Sequence, residues 1–468
     1  MIKEFLKRNR QKKINIHCVG DAMVDEYYRV KINRISPEHP VPVMVCQNEV
    51  IRRPGGAANV AYQLKHLNVD SKLLCFYDPL AYEVFLEHQI CCFKYPSNFN
   101  CNLPIKRRYI DDNGVQVAPR HDFEKPLCGL DLEKINLIFI DILDKIFQQK
   151  KPEVAIISDY NKGFFNSFNY NIMDNYRDVI TIVDPKKLNF EKWKGCTIFK
   201  PNSKEAEEIS GKKNWQDQAR FFKKELGCQA VVITFGGEKV VGISGNDLFE
   251  FVPNKKVSVE SVIGAGDCFA AFFAVAIGHG FNPVESVEIA WEAGAIYVQH
   301  QMNRPVVPAE LSSDKIVNPE DLAKRDFKLV FTNGCFDILH KGHIETLKFA
   351  KTKGDKLVVA LNTDESIRRL KDKSRPIVPL EHRMSVIASM EFVDFVISFD
   401  ENTPIKAIES ILPDVLVKGH GNEFKNIVGC NLVSDVFIAP FVEHSSTTKF
   451  AEEWHNRKLI HELPANDN

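Results

Sequence analysis

The chain has 468 residues, 44% hydrophobic and 26% charged, with 61 basic against 62 acidic side chains. That length exceeds what one hydrophobic core serves, roughly 250–300 residues, so two or three domains are expected. The even charge excludes a global field that would draw in nucleic acid or anionic membrane, so an anionic ligand must be held by local donors.

The basic start, MIKEFLKRNRQKK, leads into no apolar signal core, which predicts a cytoplasmic chain. INIHCVGDAMVD (14–25) reads as a short strand ending at Gly20-Asp21; Asp21 and Asp25 suit sugar hydroxyls, and equally a solvated surface. Pro54-Gly55-Gly56-Ala57-Ala58-Asn59 opens the helical pattern NVAYQLKHL, and its small residues allow either a ligand close to the backbone or tight helix–sheet packing. The apolar runs VAIISD (154–159), VITIVD (179–184), CTIFK (196–200) and AVVIT (230–234) alternate with helical segments such as KEAEEIS and WQDQARFFKKELG. That alternation predicts βαβ units and a parallel sheet. Asn202 and Glu205, three apart on one helical face, can organise Mg2+-bound water or simply cap the helix. Gly264-Ala265-Gly266-Asp267 precedes CFAAFFAVAIG. Its amides can point at an anion at a helix N-terminus while Asp267 accepts a proton from an attacking hydroxyl. Read alone, it is as readily a glycine turn with a capping aspartate.

The run Cys268 to Ile277 is the longest apolar stretch and too short for a bilayer about 30 Å thick. LSSDKIVNPEDLAKRD (311–326) is polar and carries a proline, which predicts a linker. The domains expected are 1–315 and 328–468, joined by 316–327. In KLVFTNGCFDILHKGH (328–343) a strand breaks at Asn333-Gly334 and passes into the helical IETLKFAKTKG, and strands are expected again at 356–362, 392–399 and 415–418. His340 and His343, three apart around Gly342, share one face of the first helical turn, where they can donate to phosphate oxygens. The pair also suits zinc, but no third ligand of suitable type sits nearby. Ser445-Ser446-Thr447-Thr448, taken alone, is an ordinary helix cap. The 12 cysteines form no C-x-x-C pair, and Cys18, Cys75 and Cys335 sit singly in apolar runs, as expected of small hydrophobes in a reduced compartment.

In this order, GDAMVDEYY (20–28), RISPEHPVPV (34–43), RPGGAANVA (53–61), SDYNKG (158–163), VDPKK (183–187), KPNSKEAE (200–207) and the GAGD turn resemble the ribokinase-like carbohydrate kinases, in their heptose 7-phosphate kinase branch. NGCFDILHKGH (333–343) resembles the HxGH cytidylyltransferase-like family, and 371–419 is similar to the adenylyltransferase half of the bifunctional heptose 7-phosphate kinase/heptose 1-phosphate adenylyltransferases. The resemblance implies an α/β chain: a ribokinase-like three-layer α/β/α kinase domain with a β lid, then a Rossmann-like HxGH nucleotidyltransferase domain. It implies Asp267 as catalytic base and Gly264, Ala265 and Gly266 as the anion hole. Asn202, Glu205, Thr234 and Gly236 would serve ATP, with Glu205 reaching Mg2+ through water. Asp21, Asp25, Gly55, Gly56 and Asn59 would hold the sugar, with Lys106, Arg107 and Arg120 for its distal phosphate.

In the second half the resemblance implies catalytic His340 and His343. Nucleotide contacts would come from Lys328, Thr332, Asn333, Gly334, Phe336, Asp337, Gly342, Arg383 and Lys418, and from Ser446, Thr447 and Thr448 of the late hydroxyl-rich loop. The expected reactants are heptose phosphates and ATP with Mg2+, without nucleic acid or membrane partners, in a homodimer by analogy with ribokinase-like domains. Three departures stand out: Ser261-Val262-Ile263 replaces an Asp-Thr-Thr-like triplet, Lys239 ends a T-x-G-x-x-G pattern, and His420-Gly421-Asn422 replaces an aspartate and an aromatic. Another sugar or polyol phosphate, CTP in place of ATP, or a kinase half that binds sugar phosphate as a scaffold are the readings left open.

Overall fold

The apolar runs pair side by side, mostly in parallel, into two large sheets. The computed structural model describes residues 1–93, 102–124, 142, 150–165, 172–186, 190–254, 257–312, 315–371, 374–420 and 427–441. The chain divides into two compact units, Met1–Val306 and Val307–Asn468.

In the first unit β1 (Ile14–Gly20), β4 (Val69–Leu74), β7 (Val154–Ser158), β8 (Ile180–Asp184), β9 (Ile198–Phe199), β10 (Ala230–Thr234), β11 (Val240–Ser244) and β12 (Asp247–Phe251) form one sheet. Its order is β12-β11-β10-β9-β8-β7-β1-β4, parallel except for the β10–β11–β12 meander. Strands such as β1 and β7 are buried along their whole length, which is why they read as unbroken apolar runs. A second, four-stranded sheet, β3-β2-β5-β6, is built from β2 (Ala22–Ile35), β3 (Pro42–Gly56), β5 (Ile105–Ile110) and β6 (His121–Phe123). This is the separate β layer expected as a lid. Its strands do not stand out as apolar runs, because the last five residues of β2 are exposed and carry Lys31, Asn33 and Arg34. Helix Ala57–Lys65 packs against helix Ala265–Gly278, and that helix against Pro283–Tyr297.

In the second unit β13 (Leu329–Gly334), β14 (Lys356–Asn362), β15 (Phe395–Phe399), β16 (Val415–Lys418) and β17 (Asp435–Ile438) form a fully parallel sheet, β15-β14-β13-β16-β17. Alternate residues feed two cores. Phe331, Val358, Ile397 and Leu416 pack with Ile408 and Ile411 of helix Ile405–Ile411 on one face. Val330, Val359, Val396 and Val417 pack with Leu347 and Ile387, from helices Lys341–Lys351 and Leu380–Ala388, on the other. Three layers result.

Residues 316–327, expected as a linker, are packed instead. Ile316 bridges Val396 in parallel, Val317 N–H donates to the Val396 carbonyl at 3.0 Å, and Leu322 is buried in the same core as Val307 and Leu329. Arg325 reaches the Ile411 carbonyl at 2.7 Å and Asp414 at 3.1 Å. The polar surface of this segment hides a few anchoring apolar side chains, so composition alone mislabels it.

Candidate active sites

In an open parallel sheet, ligands settle at the carboxyl ends of strands where the strand order reverses. In the first unit that point lies between β1 and β7. Gly20 closes β1 with φ +148, and a Cβ there would stand 2.0 Å from the Ser158 carbonyl oxygen, so only glycine permits this approach.

Asp267 lies in the first turn of helix Ala265–Gly278, behind Gly264, whose φ is +79. A Cβ on Gly264 would meet the Tyr297 hydroxyl at 2.4 Å and Asn59 Nδ2 at 2.5 Å. Asn59 Nδ2 donates to Asp267 Oδ2 at 2.8 Å, and the Tyr160 hydroxyl donates to Oδ1 at 2.6 Å. Burial pushes the Asp267 carboxyl up to about 6, although both hydrogen bonds pull the other way, and Asp184 adds to the rise. Gly266 faces open space, and beside it a cavity of about 690 Å³ is lined by Thr234, Gly236, Val252, Phe269, Trp291 and Gly294, among others. Apolar walls with a glycine-rich mouth suit a nucleotide base ending in phosphates.

Asn202 and Glu205 form a capping box: Asn202 Oδ1 accepts the Glu205 N–H at 2.9 Å, and Glu205 Oε2 accepts the Asn202 N–H at 2.8 Å. Glu205 Oε1 also accepts from Lys186 at 2.7 Å. Burial opposes the Lys186 charge, but Asp184 and Glu205 outweigh it and raise its pKa. No group of three or more His, Cys, Asp or Glu able to hold a metal occurs among the described residues. Both Glu205 carboxylate oxygens already accept hydrogen bonds from the protein.

The expected sugar-binding residues separate into two groups. Asn59 donates to Asp267, and Gly56 lies beside Tyr160, the other donor to that carboxylate. Asp21 and Asp25 are engaged elsewhere: Asp21 accepts three backbone N–H groups, and Asp25 accepts from Arg108 at 2.5 Å and Asn303 at 2.6 Å. A Cβ on Gly55 would strike Asp25 Oδ2 at 2.7 Å. Arg107 is held by Glu26 at 2.9 Å, and Arg120 by Asp122 at 2.6 Å. Lys106 has its pKa lowered by burial and lies over the Tyr160 ring, 5.6 Å from its centre. Sequence reasoning misses Tyr160, Lys186, Arg108 and Asn303 as site residues, although Tyr160 stands in the SDYNKG motif.

In the second unit the reversal point is between β13 and β16. There the Lys418 ammonium donates to Asn333 Oδ1, and burial brings Lys418 down to about 8. His340 caps helix Lys341–Lys351, and its ring stacks on that of His343 with centroids 3.7 Å apart and 21° between planes. Both Nδ1 atoms are buried with no hydrogen-bond partner among the described residues. Burial, helped by His340 and Lys371, pulls His343 down to about 4, and burial lowers His340 too. That direction favours the neutral imidazole at His343. Phe336 adopts φ +46, a conformation disfavoured for a bulky residue, and lies 5.1 Å from the His343 ring. Gly334 leaves room for it, since a Cβ there would touch the Phe336 ring at 3.1 Å. Thr332 is buried in β13, and Gly342 sits in the first turn between the two histidines.

Three expected nucleotide contacts are held by protein partners. Lys328 precedes β13, five to six residues from Asn333-Gly334 and so roughly 16–20 Å away along the strand, where it pairs with Asp435 at 3.3 Å. Arg383 is buried and donates to the carbonyls of Cys335 (2.7 Å), Asn362 (2.9 Å) and Val378 (2.9 Å) and to Asp364 (2.6 Å). Asp337 accepts the N–H groups of Ile377 (2.8 Å) and Val378 (2.9 Å) and the Arg375 guanidinium (2.8 Å). These two charged residues pin loops together instead. Ser446, Thr447 and Thr448 lie outside the described residues.

Residues 167–309 match the pfkB family carbohydrate kinases, and residues 331–460 match the cytidylyltransferase-like family. The bifunctional protein HldE of a Nitratiruptor species is 33% identical over 467 residues, spanning 94% of this chain and 99% of that protein. The bifunctional protein HldE of Campylobacter jejuni (strain RM1221) is 34% identical over 478 residues, spanning 97% and 100%. The crystal structure of phosphofructokinase-2 from Escherichia coli in complex with substrates and products aligns with a TM-score of 0.50 at 15% identity, over 64% of this chain and 97% of that one, a likeness of fold.

Proposed function

The chain belongs to the family of bifunctional HldE proteins, and on that premise we propose that its first unit phosphorylates D-glycero-β-D-manno-heptose 7-phosphate at O1 with ATP and its second adenylylates the heptose 1-phosphate. It is an enzyme with carbohydrate kinase and nucleotidyltransferase activities. A separate phosphatase removes the 7-phosphate between the steps, and the ADP-heptose feeds lipopolysaccharide core or a related surface glycan.

In the kinase step the O1 hydroxyl gives its proton to Asp267 as its oxygen attacks the γ-phosphorus and ADP departs. The amides of Gly264–Gly266 receive the transferring phosphoryl group at the positive helix end. The cavity beside Gly236 and Trp291 takes the adenine. Glu205 would hold a divalent cation, Mg2+ in this reading, through water, and the cation would supply positive charge against the phosphates that would otherwise repel the attacking oxygen. Lys106 answers the distal phosphate of the sugar.

In the transfer step an oxygen of the sugar phosphate attacks the α-phosphorus of ATP and pyrophosphate leaves. His340, His343 and Lys418 hold charge as it shifts from the α-phosphate to the leaving group, while Asn333 and the backbone at Gly334 and Gly342 let the nucleotide come close. The same reading takes the protein to be a cytoplasmic homodimer; the exposed Ile32, Ile35, Val41, Met44 and Val45 on the β2–β3 hairpin support a second copy there.

The observation that carries most is Asp267, buried at a glycine turn and gripped by two donors, next to Gly266 on the wall of a nucleotide-sized cavity. The test is the purified chain with ATP and heptose 7-phosphate, reading ADP, and with heptose 1-phosphate and either ATP or CTP, reading pyrophosphate. ATP-dependent product is expected in both arms. CTP preference in the second arm, or no ADP in the first, overturns the assignment.

A further inference from the structure

The loop after β7 enters the kinase site with no role yet attached to it. Asp21, at the end of β1, accepts the N–H groups of Tyr160 at 2.9 Å, Lys162 at 3.1 Å and Phe164 at 3.0 Å, so the loop is gripped at three points. Gly56 lies alongside: with φ +59, a Cβ there would stand 2.5 Å from the Asp21 carbonyl oxygen, and the Tyr160 ring is in ordinary contact with that position at 3.5 Å. The grip delivers the Tyr160 hydroxyl 2.6 Å from Asp267 Oδ1, opposite Asn59 on Oδ2. Each carboxylate oxygen thus carries one donor, from the β7 loop on one side and helix Ala57–Lys65 on the other.

We infer that Tyr160 is a positioning residue of the kinase reaction, its hydroxyl fixing Asp267 so that the carboxylate's remaining lone pairs face the sugar hydroxyl. The inference rests on Asp267 being the base. A hydroxyl donor favours the ionised carboxylate over the acid, which counters burial, and a second donor stops rotation of the carboxylate plane. The proton accounting stays simple. The sugar hydroxyl proton goes to Asp267, the new O–P bond forms as the bond to ADP breaks, and Tyr160 keeps its own proton. Burial and the Asp267 charge push the Tyr160 hydroxyl far above the ordinary phenol range, so it acts as a donor only.

Tyr160→Phe keeps the ring and removes the donor. In the full-length protein, ADP formation from ATP and heptose 7-phosphate is followed from about pH 5 to pH 9, with ATP-dependent thermal shift as the folding check. The expected result is a kcat reduced about tenfold or more, KM values within about twofold, and an acid limb displaced upward by about one unit. An unmoved acid limb with unchanged kcat overturns the inference. Asp267→Asn in the same assay separates the two levels. If it turns over like the wild type, the base reading itself fails; if it is dead while Tyr160→Phe is unaltered, only the positioning role fails. Should Tyr160→Phe fail the folding check, Asp21→Asn, which loosens the loop without touching Asp267, must move the acid limb in the same direction, and a stationary limb there refutes the role equally.

Discussion

Replacing Asp267 by asparagine should make the kinase unit more stable while it abolishes the kinase. Burial lifts this carboxyl from its ordinary 3.8 to about 6. That difference, about two units at 1.36 kcal/mol each, makes the ionised form cost about 3 kcal/mol in the folded chain. The sign follows from the raised value: the folded state binds the proton more tightly, so stability is greatest below about pH 4 and falls as pH rises to about 6. Asparagine carries no charge there. At pH 8 the variant should gain about 2–3 kcal/mol, or several degrees in Tm for a unit of this size, and the gain should vanish near pH 4. Its amide can still accept from Asn59 and donate to the Tyr160 oxygen. Turnover should fall by about 10²–10⁴, the usual worth of a general base. Thermal unfolding of the full chain at both pH values, beside ADP release at pH 8, makes the check. Equal pH dependence in variant and wild type, or retained turnover, would refute the reasoning.

Other outcomes follow from the same geometry. His343→Ala and His340→Ala should each reduce pyrophosphate release about a hundredfold or more and leave ADP formation untouched. Because His343 is already neutral above about pH 4, the transferase rate should not bend near pH 6.5, where an ordinary histidine titrates. Gly294→Leu, pointing into open space in the apolar cavity, should raise the kinase KM for ATP about tenfold and spare the other reaction. Arg383→Met should destabilise the second unit by about 3–5 kcal/mol by orphaning three carbonyls and Asp364. Lys328→Ala should leave nucleotide KM unchanged, as read by initial rates of pyrophosphate release.

How much is legible depends on whether a residue's neighbours are close in sequence. The parallel strands are readable because burial on both faces leaves continuous runs of Val and Ile; 230–234, 356–362 and 415–418 emerge with the expected bounds. The glycine turns are readable too, since Gly264 and Gly20 occupy backbone conformations and contacts that other residues cannot. Charged residues deceive. Arg383 and Asp337 carry the chemistry of phosphate and ribose recognition, yet most of their partners, such as the Cys335 carbonyl and the Ile377 N–H, lie about 40 to 50 residues away and show only in three dimensions. Asp21 is similar: its carboxylate accepts N–H groups of a loop some 140 residues downstream, which local sequence does not show. Tyr160 is the converse case: nothing in its local sequence marks it beyond the motif, and only the fold brings its hydroxyl to Asp267.

The packing of 307–327 bears on how the two chemistries can be separated by cutting the gene. A fragment starting at Lys328 would lack Val307, Ala309 and Leu322 from its core and the Ile316 rung beside β15, leaving a greasy face and an unpaired sheet margin open to aggregation. The natural incision lies between Val306 and Val307, within a run of valines and prolines that no polarity plot would choose.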